Sequence, residues 1–228
     1  MSKVVSRIVL PLLTAFVLWT LMFSPWTAAY LPFWPCMALS AAILLLIASW
    51  QSGAWWKRID AADQRSLRYW VENLLLGVAV AAVLWGVFWL GDKLSQVLFP
   101  TFARHEVDSI YGSKDGMNPH LIGALLLLLI GPAEEIFWRE HIQRLLAEHL
   151  LTVHWRDLTI GPRALACGVG ILAYTLVHVF SFNLMLIIAA FVCGVAWGVL
   201  YWLFPNRFPA ILLSHALWDA TIFVWLPV

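Results

Sequence analysis

The sequence predicts an all-α integral membrane protein built as a bundle of about seven transmembrane helices. Three observations predict it. Of the 228 residues, 62% are hydrophobic and only 12% charged, against roughly 45–50% and about 25% in ordinary globular domains. A soluble core of this size cannot bury that excess, so lipid must be the solvent. Apolar runs also recur at the length, about 20 residues, with which a helix crosses ~30 Å of hydrocarbon. Finally, backbone polar groups in lipid are satisfied only by helices or closed barrels, so strands are not expected.

Seven such runs are found near Ile8–Phe23, Ala28–Trp50, Tyr69–Gly91, His120–Trp138, Arg163–Phe182, Leu184–Phe204 and Phe208–Leu226. The first follows Lys3 and Arg7 and resembles a signal peptide. It is about as long as the apolar region of one can be and no clean A-x-A site follows, so it reads as a retained membrane helix. The 15 tryptophans suit belts at the two membrane interfaces. Residues 1–228 read as one polytopic membrane domain, with no repeat of solenoid length.

Basic residues set the orientation. With the N-terminus in the cytoplasm, that side holds Lys3, Arg7, Lys57, Arg58, Arg65, Arg68, Arg139, Arg144, Arg156, Arg163 and Arg207. The opposite side keeps Lys93, Arg104 and Lys114, a clear positive-inside bias. Residues 92–119 read as a mixed-charge external loop. In "EHIQRLLAEHLL", Ile142, Leu145, Leu146 and Leu150 recur at helical spacing, as in an extension of the fourth helix or an interfacial helix. The net charge of +1 gives no reason to expect nucleic acid. Cys36, Cys167 and Cys193 sit in apolar stretches without metal-ligand spacing and read as buried hydrophobes.

Ionisable side chains at membrane depth are costly, and they usually face the bundle interior or a wet cavity. "GPAEEIFWRE" places Glu134 and Glu135 straight after the apolar run "LIGALLLLLI". Glu135 and Arg139 stand at i and i+4 and can pair along one helix face. Glu134, rotated by about 100°, is free to point toward the bundle centre. Tyr174 with His178, and His215 with Asp219, repeat the i, i+4 spacing on two further helices. Each group alone reads as readily as a packing staple, but three helices carrying them together suggest a joint site.

The chemistry they suggest is hydrolysis. A buried carboxylate near a histidine can deprotonate a water, and a second histidine beside an acid can donate to developing oxyanion charge. No serine or cysteine has a recognisable nucleophile context, and Ser214, next to His215, points away from it on a helix. Direct attack by water is the expectation.

The set "EEIFWR", "YTLVH" and "HALWD" resembles the CPBP intramembrane proteases, a family that includes the eukaryotic CAAX endoprotease and the bacterial Abi proteins of bacteriocin processing and immunity. Its motifs are Glu-Glu-x-x-x-Arg, Phe-x-x-x-His and His-x-x-x-Asn or Asp. The resemblance covers about residues 131–220, within a motif-bearing core of about 120–228. It implies that Glu134 is the catalytic base, that His178 helps hold the water, and that His215 and Asp219 stabilise the oxyanion. Glu135 and Arg139 would be supporting residues. The one departure is Tyr174 in place of the family's Phe, read as a change of packing detail. Gly194 and Gly198, in "FVCGVAWGVLYW", allow close helix approach.

The resemblance implies an intramembrane endopeptidase acting on a peptide or lipidated protein near the cytoplasmic leaflet, in a bacterial cytoplasmic membrane. No cofactor is expected. Glu134, His178 and His215 could also be read as a zinc set, and zinc remains the alternative. A proton-relay transporter or channel and a non-catalytic immunity or scaffold protein remain alternative functions. One geometric difficulty stands. In a simple hairpin of the fourth and fifth runs, Glu134 and His178 would differ in depth by ~14 Å. A fifth helix starting near Cys167, or a break or shift of the fourth at Gly131–Pro132, would remove it.

Overall fold

A computed structural model describes residues 5–52, 66–151 and 160–228. All regular structure among these residues is helical. Seven helices are long and apolar enough to cross a membrane: α1 (Ser6–Phe23), α2 (Phe33–Ser52), α3 (Leu67–Leu98), α5 (Pro119–His149), α6 (Arg163–Ser181), α7 (Leu184–Leu203) and α8 (Pro205–Trp225). An amphipathic helix, α4 (Pro100–Tyr111), lies between α3 and α5. The chain is thus a multi-pass integral membrane protein. Of the basic residues counted for orientation, Lys3, Lys57, Arg58, Arg65 and Arg156 lie outside the described residues.

Local sequence fixes where helices begin. Ser66 accepts a hydrogen bond from the Tyr69 amide at the start of α3. Asn118 accepts from the His120 amide with Pro119 at the first helical position, and Asn183 accepts from the Leu186 amide. Each satisfies an orphan donor of the first turn. α2 begins at Phe33 rather than Ala28, because Ala28–Tyr30 form a separate 3-10 turn before Pro32.

The expected external loop at 92–119 is largely helical. α3 continues past Gly91, and the buried Asp92 carboxylate takes Arg104 of α4 at 3.1 Å and Lys93 at 3.3 Å. Charges that the sequence assigned to water thus neutralise one another. α4 is tied down in turn: the Asn183 side chain donates to the Glu106 carbonyl at 2.8 Å. The Tyr111 hydroxyl donates to the Ile222 carbonyl at 3.0 Å, and its burial raises the phenol pKa.

α5 is the central helix. Its expected end at Trp138 is eleven residues short of His149. Arg139, Glu140, His141, Gln143 and Arg144 are all buried, and the helix continues through them. Arg144 lies 3.4 Å from Glu140 and 2.7 Å from Glu148, and the Tyr201 hydroxyl donates to Glu140. The Gln143 amide donates to the Gly198 carbonyl of α7. The extension reading of "EHIQRLLAEHLL" is therefore the one the structure takes for the described residues. Arg139 and Arg144 belong to the bundle interior rather than to a loop.

α5 also bears on the depth difficulty. α6 is helical from Ile160, not Cys167, and α5 runs unbroken through Gly131–Pro132. At 31 residues it is about 46 Å long, well beyond the hydrocarbon thickness, so Glu134 at its midpoint is not pinned near the inner interface. Two π-helical stretches, Leu126–Ile130 and Ile136–Gln143, flank Gly131–Glu135. Such turns are rare and concentrate at functional sites. Gly131 lets α8 approach, since a Cβ there would meet the Ala216 Cα at 2.9 Å.

Candidate active site

α5, α6 and α8 bring the residues singled out in the sequence to one place. Glu134, Tyr174, His178, His215 and Asp219 all line a single cavity of about 700 Å³. Glu134 points into it from α5, one residue before Glu135, which turns toward α8 and the interior of the helix packing.

Glu135 is fully buried between two cations or potential cations. Its Oε1 accepts from His215 Nδ1 at 2.8 Å, and its Oε2 lies 3.1 Å from Arg139 Nε. Arg139 is also fully buried, and its guanidinium stands over the Tyr174 ring at 5.2 Å. Among the described residues its two terminal nitrogens find no hydrogen-bond acceptor. Its contribution is therefore mainly charge, set against Glu135.

His215 is held on three sides. Nδ1 faces Glu135, Nε2 faces Asp219 Oδ2 at 3.4 Å, and the Trp197 indole stacks on the ring at 3.8 Å with 15° between planes. Trp197 is fixed by its own donation to Ser214 Oγ at 3.0 Å, while Ser214 donates to the Ile211 carbonyl. Ser214 Oγ thereby both accepts and donates. An imidazole with an acceptor at each nitrogen is fully satisfied only when both nitrogens carry protons.

Tyr174 does more than fill the place of a phenylalanine. Its hydroxyl donates to Glu134 Oε2 at 3.1 Å, and Glu134 has no other hydrogen-bond partner among the described residues. α7 positions this tyrosine: a Cβ on Gly194 would come within 3.3 Å of its ring, and one on Gly198 within 3.2 Å of Ile171. The two glycines act as the close-approach pair that their spacing suggested. Tyr174→Phe is expected to keep the packing and lower kcat/KM about fivefold, the equivalent of about 1 kcal/mol for one hydrogen bond. Steady-state kinetics checks this.

His178 occupies the turn just past the α-helical part of α6. Its Nδ1 donates to the Tyr174 carbonyl at 2.9 Å, and its Nε2 accepts from the Trp19 indole of α1 at 3.2 Å. This pair of bonds specifies the neutral Nδ1–H tautomer. Both nitrogens are engaged by protein here. The turn then closes through Phe182 at φ 52°, a conformation that costs a bulky residue about 1–3 kcal/mol.

Trp19 and Trp197 escaped the sequence reading, which assigned tryptophans to the interfaces. Trp26 and Trp50 are indeed exposed, but Trp19, Trp138 and Trp197 are fully buried. No spacing rule marked either residue, since each meets its histidine only through the tertiary fold.

Among the described residues, no group of three or more His, Cys, Asp or Glu has a metal-holding arrangement. The donor set is also a poor fit to zinc. Both nitrogens of His178 and of His215 already face protein partners, whereas a zinc ligand needs one lone pair directed at the ion.

Glu134, a histidine on the next helix and a His-Asp pair on the last therefore border one cavity, with Glu135 packed behind His215. Residues 116–221 match the family model of the Type II CAAX prenyl endopeptidase Rce1-like family. This is the CPBP family that the motifs resemble. No curated protein and no solved structure matches the chain. The Rce1-like stretch contains Glu134, Glu135, Arg139, Tyr174, His178, Trp197, His215 and Asp219, and leaves Trp19 outside. The family is one of CAAX-protease-type intramembrane peptidases that act on prenylated or lipidated proteins in the membrane.

Proposed function

We propose that this protein is an intramembrane glutamic endopeptidase, which hydrolyses a peptide bond of a membrane-associated or lipidated polypeptide without a metal cofactor. The observation that carries the reading is the shared cavity: Glu134, His178, His215 and Asp219 border one space in a chain whose residues 116–221 match the model of a peptidase family. We place it in a bacterial cytoplasmic membrane with the N-terminus inside.

Glu134 is the base. Tyr174 holds one carboxylate oxygen, and the other has no protein partner among the described residues. It takes a proton from a water as the water oxygen attacks the scissile carbonyl carbon. His178 orients that water through Nε2, exchanging the Trp19 bond for it. The oxyanion that forms on the former carbonyl oxygen accepts from His215, which turns its Nε2–H from Asp219 toward the new charge. Glu135 keeps the ring in place through Nδ1, with Arg139 balancing its charge. Collapse of the tetrahedral intermediate breaks the C–N bond, and Glu134 returns the proton to the leaving amine.

The test compares protein termini in membranes of cells that carry the wild-type protein or Glu134→Ala. New termini that depend on Glu134 support the reading, and identical termini refute it. Activity of the purified enzyme is expected to survive a chelator. Loss with chelator and recovery on adding zinc would overturn the metal-free mechanism.

A further inference from the structure

The cavity belongs to one face of the membrane. It is bordered by the last residues of α1 and α3, the first halves of α2, α5 and α7, α4, and the final parts of α6 and α8. Because consecutive spans alternate in direction, all these pieces lie on the side opposite the start of α1. Among the described residues, the other half of the bundle is packed. Arg139, Ile142, Gln143 and Leu145 of α5 are buried there, with Tyr201 of α7 and Phe208 of α8, and none of them borders the cavity.

The side follows from charge. Arg139 and Arg144 are interior residues, so they drop out of the positive-inside count. Nine basic residues remain on the side of the N-terminus, against Lys93, Arg104 and Lys114 on the other. That bias places the start of α1 in the cytoplasm and turns the cavity away from it. The cavity also meets lipid. Leu94 and Leu98 of α3 and Ile188 of α7 border it and are exposed. A second apolar groove between α3 and α7 adjoins it through Val87 and Val192.

We infer that the site works on the non-cytoplasmic side, and that its substrates are membrane-anchored polypeptides already translocated, with the scissile bond beyond the membrane midplane on that side. A tail presented from the cytoplasm would meet the packed half instead. The inference rests on the peptidase reading for what the cavity admits, and on the charge bias for where it faces. It places the cleavage in the leaflet opposite to the one that the sequence alone suggested.

Two measurements test it. In a protein with Cys36, Cys167 and Cys193 replaced by alanine, Ser109→Cys on α4 and Asn206→Cys at the start of α8 are labelled in intact cells with a membrane-impermeant maleimide. Thr101→Cys serves as a second reporter on the side of Ser109 should that variant fold poorly. Position 109 is expected to label at least tenfold more than 206, and 206 only once the cells are opened. The reverse pattern overturns the inference. Termini lost in Glu134→Gln cells are then mapped, and they are expected in translocated segments. Loss confined to cytoplasmic segments overturns the substrate assignment while leaving the peptidase reading intact. Absence of any Glu134-dependent terminus defeats the peptidase reading and the substrate assignment with it, while the labelling still decides which way the cavity faces.

Discussion

Glu134→Gln is expected to lower kcat by about 10³-fold while the protein keeps its fold, within the 10²–10⁴-fold range typical of general acid–base catalysis. The amide keeps the volume of the carboxyl group, and its oxygen still accepts from the Tyr174 hydroxyl, so the packing around the cavity survives. What disappears is the ability to take a proton from water and return it to the leaving amine. KM should change little, because the proton is transferred only along the reaction path. Turnover measured beside thermal unfolding separates this outcome from misfolding. Near-normal turnover in a folded Glu134→Gln protein would remove the glutamate from the mechanism.

Arg139→Ala is expected to destabilise the protein by about 3–5 kcal/mol, the usual consequence of removing one partner of a buried ion pair. The loss is large because Glu135 is fully buried and has Arg139 at 3.1 Å on one oxygen. Without the guanidinium, an uncompensated carboxylate remains against His215. The double variant Glu135→Gln with Arg139→Met should recover most of that stability, since charge and counter-charge leave together and the amide oxygen still accepts from His215 Nδ1. Activity should not recover with it, because the anion that steadies the His215 ring is gone. Denaturant or thermal melts in detergent give the first result, and kinetics on the double variant the second.

Much of the architecture is legible in the sequence because hydropathy responds to the same solvent that shapes the bundle. Each of the seven apolar runs overlaps a spanning helix, and the i, i+4 pairs at Glu135–Arg139 and His215–Asp219 lie within contact distance. The two misread charged segments share one cause. Partners remote in the sequence carry no local signal. Asp92 meets Arg104 twelve residues on, and Glu140 meets Tyr201 sixty-one residues on, so both segments read as more exposed than they are. The tryptophans failed differently. An indole has a polar N–H that suits either an interface or a buried acceptor, and only the fold brings Trp19 to His178 and Ser214 to Trp197. Tyr174 shows the limit of reasoning by substitution. Tyrosine and phenylalanine share a ring, and the consequence lies in the hydroxyl.

The dense half of α5 also settles a matter of insulation. Any enzyme that hydrolyses with water inside a bilayer must admit water, and a wet passage from face to face would short-circuit the membrane potential, worth about 2.3 kcal/mol per elementary charge at 100 mV. Among the described residues the stretch from Arg139 to Leu145 is buried with its charges neutralised in place and leaves the cavity untouched; under the proposed function, such a plug would let the reaction be hydrated from one bath only. Loosening that plug should cost the cell its ion gradient before it costs the enzyme its chemistry.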